Sequence, residues 1–170
     1  MLDHTNGRLE IGVVSRIPPE LAVVGITTDV AAARHAEVID VLDAAGHPHG
    51  PEQIAVRRMI TFVESPSEQR EAVHRAKRAL LDVLTASAGP LPPWASLLDR
   101  PDESIAALSD EEFVSGTPQQ VAEQLIEQCQ IIGAGHLLVA FSERDHDRLK
   151  HSHELFSAEV APLLSEAQVA

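Results

Sequence analysis

The sequence predicts an α/β fold built on parallel strands, and three observations carry that expectation. Apolar, β-branched runs alternate with segments whose apolar residues recur at helical spacing, the order expected of βαβ units. Turn and capping residues fall between them. The chain has 170 residues, 44% of them hydrophobic. That suffices for one core-bearing domain, 1–170, and falls short of the about 250 residues of an ordinary eight-stranded barrel.

Each element follows from local chemistry. "RLEIGVV" (8–14) is expected as a first strand, stopped by Pro18 and Pro19. "TTDVAAARHAEVIDVLDAAG" is expected as a helix capped by Thr28 or Asp29 that buries Val38, Val41, Leu42 and Ala45. "GHPHGPEQ" (46–53) is a loop by composition, and "IAVRRMITFVES" (54–65) is a second strand ended by Pro66. Residues 67–87 read as a charged helix with Ala72, Val73, Ala76, Leu80, Leu81 and Leu84 on its buried side. Residues 88–110 form an irregular, Pro-rich excursion with the only Trp, Trp94, and a short helix over 102–109.

The stretch "FVSGTPQQVAEQLIEQCQIIGAGHLLVAF" carries the strongest local signals. Thr117 stands at an N-cap, Pro118 at the first helical position and Gln120 three residues after the cap, which is a capping box. Val121, Ala122, Leu125, Ile126, Cys129 and Ile132 then share one helix face, and Gly133 and Gly135 turn the chain into the strand "HLLVAF". The Gly-Thr-Pro turn is a helix start; one Gly and no Lys do not make a phosphate-binding loop. A final helix is expected from about Asp147 to Leu164. Three to four parallel strands cannot close a barrel.

Composition excludes several functions. Thirteen basic against 26 acidic residues give a net charge of -13, which disfavours nucleic acid and anionic membrane surfaces. The single cysteine, Cys129, leaves no internal disulfide and sits on an apolar face as a packed thiol. The N-terminus lacks a leader pattern, and no apolar run approaches the about 18 residues of a membrane span. A soluble, cytoplasmic protein is expected. The nine histidines are scattered; His47/His49 and His151/His153 have H-x-H spacing without a third ligand nearby, so no metal site is expected. His136, ahead of an apolar strand, could reach a pocket but suits a hydrogen-bonded structural role better.

With these segments in place, the chain resembles the bacterial luciferase-like flavin-dependent oxidoreductases and monooxygenases. "LDHTNGRLEIGV", Arg34 and Glu37 followed by "VIDVL", and the series "FVSGTPQQVAEQL", "GAGHLLVAF" and "ELFSAEVAPLL" carry the likeness, with a weaker block at "VRRMITFVESPSEQREAV". The resemblance implies a partial TIM-barrel-like (β/α) assembly that binds FMN or a deazaflavin at the strand ends. It also implies oxidation of a small organic molecule with reduced flavin and oxygen. By the same resemblance Ser15 and Arg16 contact the cofactor phosphate, and His136 or Ser142 faces the flavin. The family's glycine-rich loop reads "GVVSR" here, and strands expected before Met1 and after Leu42 are missing. A homodimer or partner subunit would then complete the site. The alternative is a non-catalytic, truncated homologue acting as a partner subunit or split-gene product.

Overall fold

Residues 55–62, Ala-Val-Arg-Arg-Met-Ile-Thr-Phe, combine β-branched and apolar side chains without a breaker, and they form the central strand. In the computed structural model of the chain the described residues are 27–47, 50–51, 54–86 and 108–167, excepting the side chains of 83–86. The segment 8–14, Ser15, Arg16, Trp94 and most of the 88–110 excursion lie outside them.

The described elements are α1 (Thr28–Ala44), β1 (Ala55–Phe62), α2 (Pro66–Ala86), a 3₁₀ turn (Asp110–Glu112), β2 (Phe113–Gly116), α3 (Pro118–Ile132), β3 (His136–Phe141), α4 (His146–Leu155), a π-helical turn (Phe156–Val160) and α5 (Ala161–Ala167). The three strands form one parallel, unclosed sheet in the order β2-β1-β3. Met59 pairs with Phe113 on one side and Ala140 on the other; Ile60 pairs with Val114 and Phe141. The expected parallel α/β sheet is therefore present. Its β3 pairs with β1 rather than with β2, unlike strands that follow one another around a barrel.

Adjacent residues of a strand point to opposite faces, so these rows define two cores. Met59, Phe113 and Ala140 pack against Ala76, Leu80 and Leu81 of α2 and Leu108. Ile60 and Val114 pack against Val121, Ala122 and Leu125 of α3 and against Phe156, Val160 and Leu164 of the C-terminal helical stretch. Helix α2 thus covers one face, and α3 with the C-terminal helices covers the other. Ile60, Val121, Leu125 and Val160 are fully buried, each contributing about 1.5–3 kcal/mol of apolar transfer.

The π-helical turn keeps Phe156, Val160 and Leu164 on the core side. Four-residue steps in a pure α-helix drift about 40° around the axis, and one wider turn offsets that drift.

Helix α3 begins and ends as its sequence dictates. Thr117 and Gln120 form a reciprocal capping box with Pro118 at the first turn, and Gly133 closes the helix in the left-handed conformation at φ 73°. Helix α2 starts the same way: the Ser65 hydroxyl accepts from the Glu68 amide, and the Glu68 carboxylate accepts from the amides of Ser65 and Glu64. The expected buried side of α2 is present at Ala72, Ala76, Leu80 and Leu81, with Val73 half-buried.

Three local expectations are corrected. The cap of α1 is Thr27, whose side chain accepts from the Val30 amide, rather than Thr28 or Asp29. The apolar side of α1 is also displaced: Val38 is 43% and Val41 68% exposed, and Ala45 is exposed while Leu42 is half-buried. The helix instead turns Thr28, His35 and Ile39 inward. The Thr28 amide donates to Glu111 at 2.5 Å, and His35 Nδ1 meets the Ile132 carbonyl at 2.5 Å, which fixes the rotation of α1 against α3. Finally, Leu108 and Ser109 are not helical. A 3₁₀ turn follows at Asp110–Glu112, started by the Ser109 side chain, and leads into the four-residue strand β2.

Candidate functional site

Parallel pairing collects the carboxyl ends of all three strands on one edge, where each chain segment departs for its next helix. Thr61 pairs with Ser115 and Phe62 with Gly116. The ladder runs one residue past β3, because the Ser142 amide donates to the Ile60 carbonyl at 3.5 Å. There the Thr61 and Ser142 hydroxyls lie 2.6 Å apart, a side-chain bridge between β1 and β3. From β1 the chain turns to α2 on one face of the sheet; from β3 it turns to α4 on the other. Open α/β sheets bind ligands where connections diverge in this way.

Glu143 follows Ser142 at this point. Burial pushes its carboxyl above the ordinary range, against the opposing pull of its own amide, Arg148, Arg75 and the Ser152 hydroxyl. Its Oε2 is buried without a hydrogen-bond partner, and Ser152 on α4 is itself buried. The edge thus offers two hydroxyls and a carboxyl that holds its proton to higher pH than a free one, a set able to donate to and accept from a neutral polar group.

Three helix N-termini open on the same edge, and side chains already occupy them. The Glu68 carboxylate closes α2. Asp145 caps α4 by accepting from the Arg148 amide, with Asp147 in the first turn. Thr117 and Gln120 use the free amides of α3.

Of the residues singled out from sequence, Ser142 stands on this carboxyl edge. His136 does not: it pairs with Ala55 at the opposite end of β3 and is exposed. Six residue steps separate it from Ser142, about 20 Å along the sheet, so one ligand edge does not gather both. Ser15 and Arg16 lie outside the described residues. Cys129 is half-buried on α3, where burial pushes its thiol up despite the nearby Arg58. No group of three metal-ligating side chains occurs among the described residues.

Sequence reasoning missed Thr61 and Glu143. The available signal was positional: a hydroxyl near the end of the strand and an acid just after "HLLVAFS". It missed the buried charges as well. Arg57 pairs with Glu112, which is 2% exposed. Arg58, on the other face, is 4% exposed and donates to Gln128 and to the Arg57 carbonyl. Burial lowers the Arg58 pKa.

No family profile and no curated protein matches the chain. Among solved structures, the fold is similar to that of the EDTA monooxygenase EmoA from Chelativorans sp. BNC1, with a TM-score of 0.51 and 22% identity over 82% of this chain. The match spans 38% of that enzyme's chain. At this identity the likeness is one of fold. No helix among the described residues is long and apolar enough to cross a membrane.

Proposed function

We propose that the chain is a homologue of the luciferase-like flavin-dependent oxidoreductases and that its ligand edge is the carboxyl edge of the sheet. The observation that carries this is the shared fold with a monooxygenase over 82% of the chain. The sequence blocks resembling the family coincide with consecutive elements: "FVSGTPQQVAEQL" spans β2 and the start of α3, "GAGHLLVAF" spans the turn and β3, and "ELFSAEVAPLL" spans the C-terminal helical stretch.

The described residues alone do not fit the phosphate of FMN or a deazaflavin. A phosphate favours a helix N-terminus with free amides, and here Glu68 and Asp145 place carboxylates at two of them while a capping box fills the third. Phosphate capture therefore falls to Ser15 and Arg16 or to a partner subunit. Thr61, Ser142 and Glu143 are left to meet a small organic substrate through hydrogen bonds.

The same filled helix ends favour a second reading, a non-catalytic partner subunit. Equilibrium titration with FMN, followed by flavin fluorescence and by sizing of the complex, separates the two. Stoichiometric binding that weakens in Arg16→Ala supports the oxidoreductase. A defined dimer that binds no flavin, oxidised or reduced, rejects it in favour of the partner subunit.

A further inference from the structure

A second feature lies along the outer side of β2, away from the carboxyl edge. Among the described strands β2 lies at one edge of the sheet. The Gly116 carbonyl accepts from the Val63 amide and so faces β1; by strand alternation the Ser115 carbonyl faces outward. In a wider sheet that oxygen would accept from the next strand. Here the side-chain amides of Gln69 on α2 and Gln124 on α3 both donate to it, at 3.1 and 3.2 Å. Among the described residues, two glutamines from opposite faces of the sheet take the place that a further strand's amide would fill.

Beyond them opens a groove of about 980 Å³ between α2 and α3. Its walls differ in chemistry: one offers a guanidinium and an imidazole, the other two carboxylates. α2 contributes Arg70 and His74; α3 contributes Glu123 and Glu127. All four are exposed, and among the described residues no ion pair joins one wall to the other. Lys77, deeper in the groove, is buried and already bonded to the Leu108 carbonyl and to Asp110. Each wall pair is spaced four residues along a helix, about 6 Å. Side chains on one face of a strand recur every two residues, about 6.6 Å. The two spacings match.

We propose that this groove is a docking slot for an extended segment of another polypeptide, added as a fourth strand beside β2, in which acidic side chains alternate with basic ones. The acids face Arg70 and His74, the bases face Glu123 and Glu127, and the segment's backbone replaces the Gln69 and Gln124 amides at Ser115. Addition of a strand to an open sheet edge takes its affinity from the main chain and its selectivity from alternate side chains. Two of the chain's own remaining segments suit the slot poorly. Arg8 and Glu10, two residues apart, would put opposite charges on one strand face. The stretch 87–107 contains Pro90, Pro92, Pro93 and Pro101, which lack donors. The inference does not depend on flavin binding.

The test uses fluorescein-labelled hexapeptides and the intact chain. TEKEKV puts like charges on each strand face; TEEKKV has the same composition and mixes charges on both. We expect TEKEKV to bind about tenfold more tightly by fluorescence anisotropy and to shift the side-chain amide NMR signals of Gln69 and Gln124. The double substitution Arg70→Glu, His74→Glu makes both walls acidic at exposed positions. It should weaken TEKEKV and transfer preference to TKKKKV, with an unchanged circular dichroism spectrum. Equal binding of TEKEKV and TEEKKV overturns the proposal, as do unmoved glutamine signals. So does failure of both peptides to bind, the result expected of a groove filled by residues 1–26.

Discussion

The hydroxyls of Thr61 and Ser142, 81 positions apart in the chain, meet at 2.6 Å and tie the end of β1 to the residue just past β3. The bond lies at the end of the ladder, where the adjacent backbone bond from Ser142 to Ile60 is 3.5 Å long. Replacing Thr61 by Val keeps the shape and removes the hydroxyl. The expected loss is about 1 kcal/mol, a drop in Tm of about 2–4 °C for a chain of this size, read by thermal denaturation. No loss of stability would mean that the bridge contributes nothing beyond the ladder.

Glu143 predicts a pH dependence with a definite sign. Its folded pKa is raised above the ordinary carboxyl value of 4.5, burial being the largest cause. The folded state therefore holds this proton more tightly than the unfolded one. The associated stability is fully present below about 4.5 and is lost as pH rises through the higher folded pKa. Glu143→Gln should consequently be more stable than the parent at neutral pH, with the advantage vanishing in acid. Urea denaturation across pH measures it; an advantage that grows in acid would contradict the assigned shift.

Two glycines separate backbone strain from steric contact. Gly46 and Gly133 both have φ near +70°, at 70° and 73°. A Cβ at Gly46 meets nothing within 4 Å, whereas at Gly133 it comes within 3.3 Å of the His35 ring. Gly46→Ala should cost about 1 kcal/mol from the left-handed conformation alone. Gly133→Ala should cost more and also disturb the His35–Ile132 bond that sets α1 on α3. Equal costs in denaturant titrations would count against that coupling.

Leu125 and Val41 form a matched contrast. Leu125 is 0% exposed in the core beneath β1 and β2, and Val41 is 68% exposed on α1. Leu125→Ala should cost about 2–5 kcal/mol. Val41→Ala should stay within about 0.5 kcal/mol of the parent. A large effect at Val41 would show that its face is covered in solution.

That contrast shows where the sequence was legible. Helix α3 could be read almost whole, because its cap, its first-turn proline and its terminal glycine act through neighbours within four residues. Helix α1 could be located but not rotated. It carries one apolar stripe through Val38, Val41 and Ala45 and another through Ile39 and Leu42; the choice between them is made by Glu111 and Ile132, more than 80 residues away. β2 was missed as a strand because "FVSG" is short and ends in Ser-Gly; pairing with β1 makes it one. At the candidate site Ser142 was found by its place after an apolar run. Its partner Thr61 was hidden, since which hydroxyls meet across a sheet depends on register.

The wide turn at Phe156–Val160 makes the C-terminal stretch behave like an indexed shaft. Every residue added or removed there rotates all that follows by about 100°, so a length change of a single position would swing Leu164 away from Leu125 and Val160 and put Leu163 or Ser165 in its place. Sequence drift in this turn is therefore open to exchange of side chains and closed to gaps, a restriction on length rather than on identity.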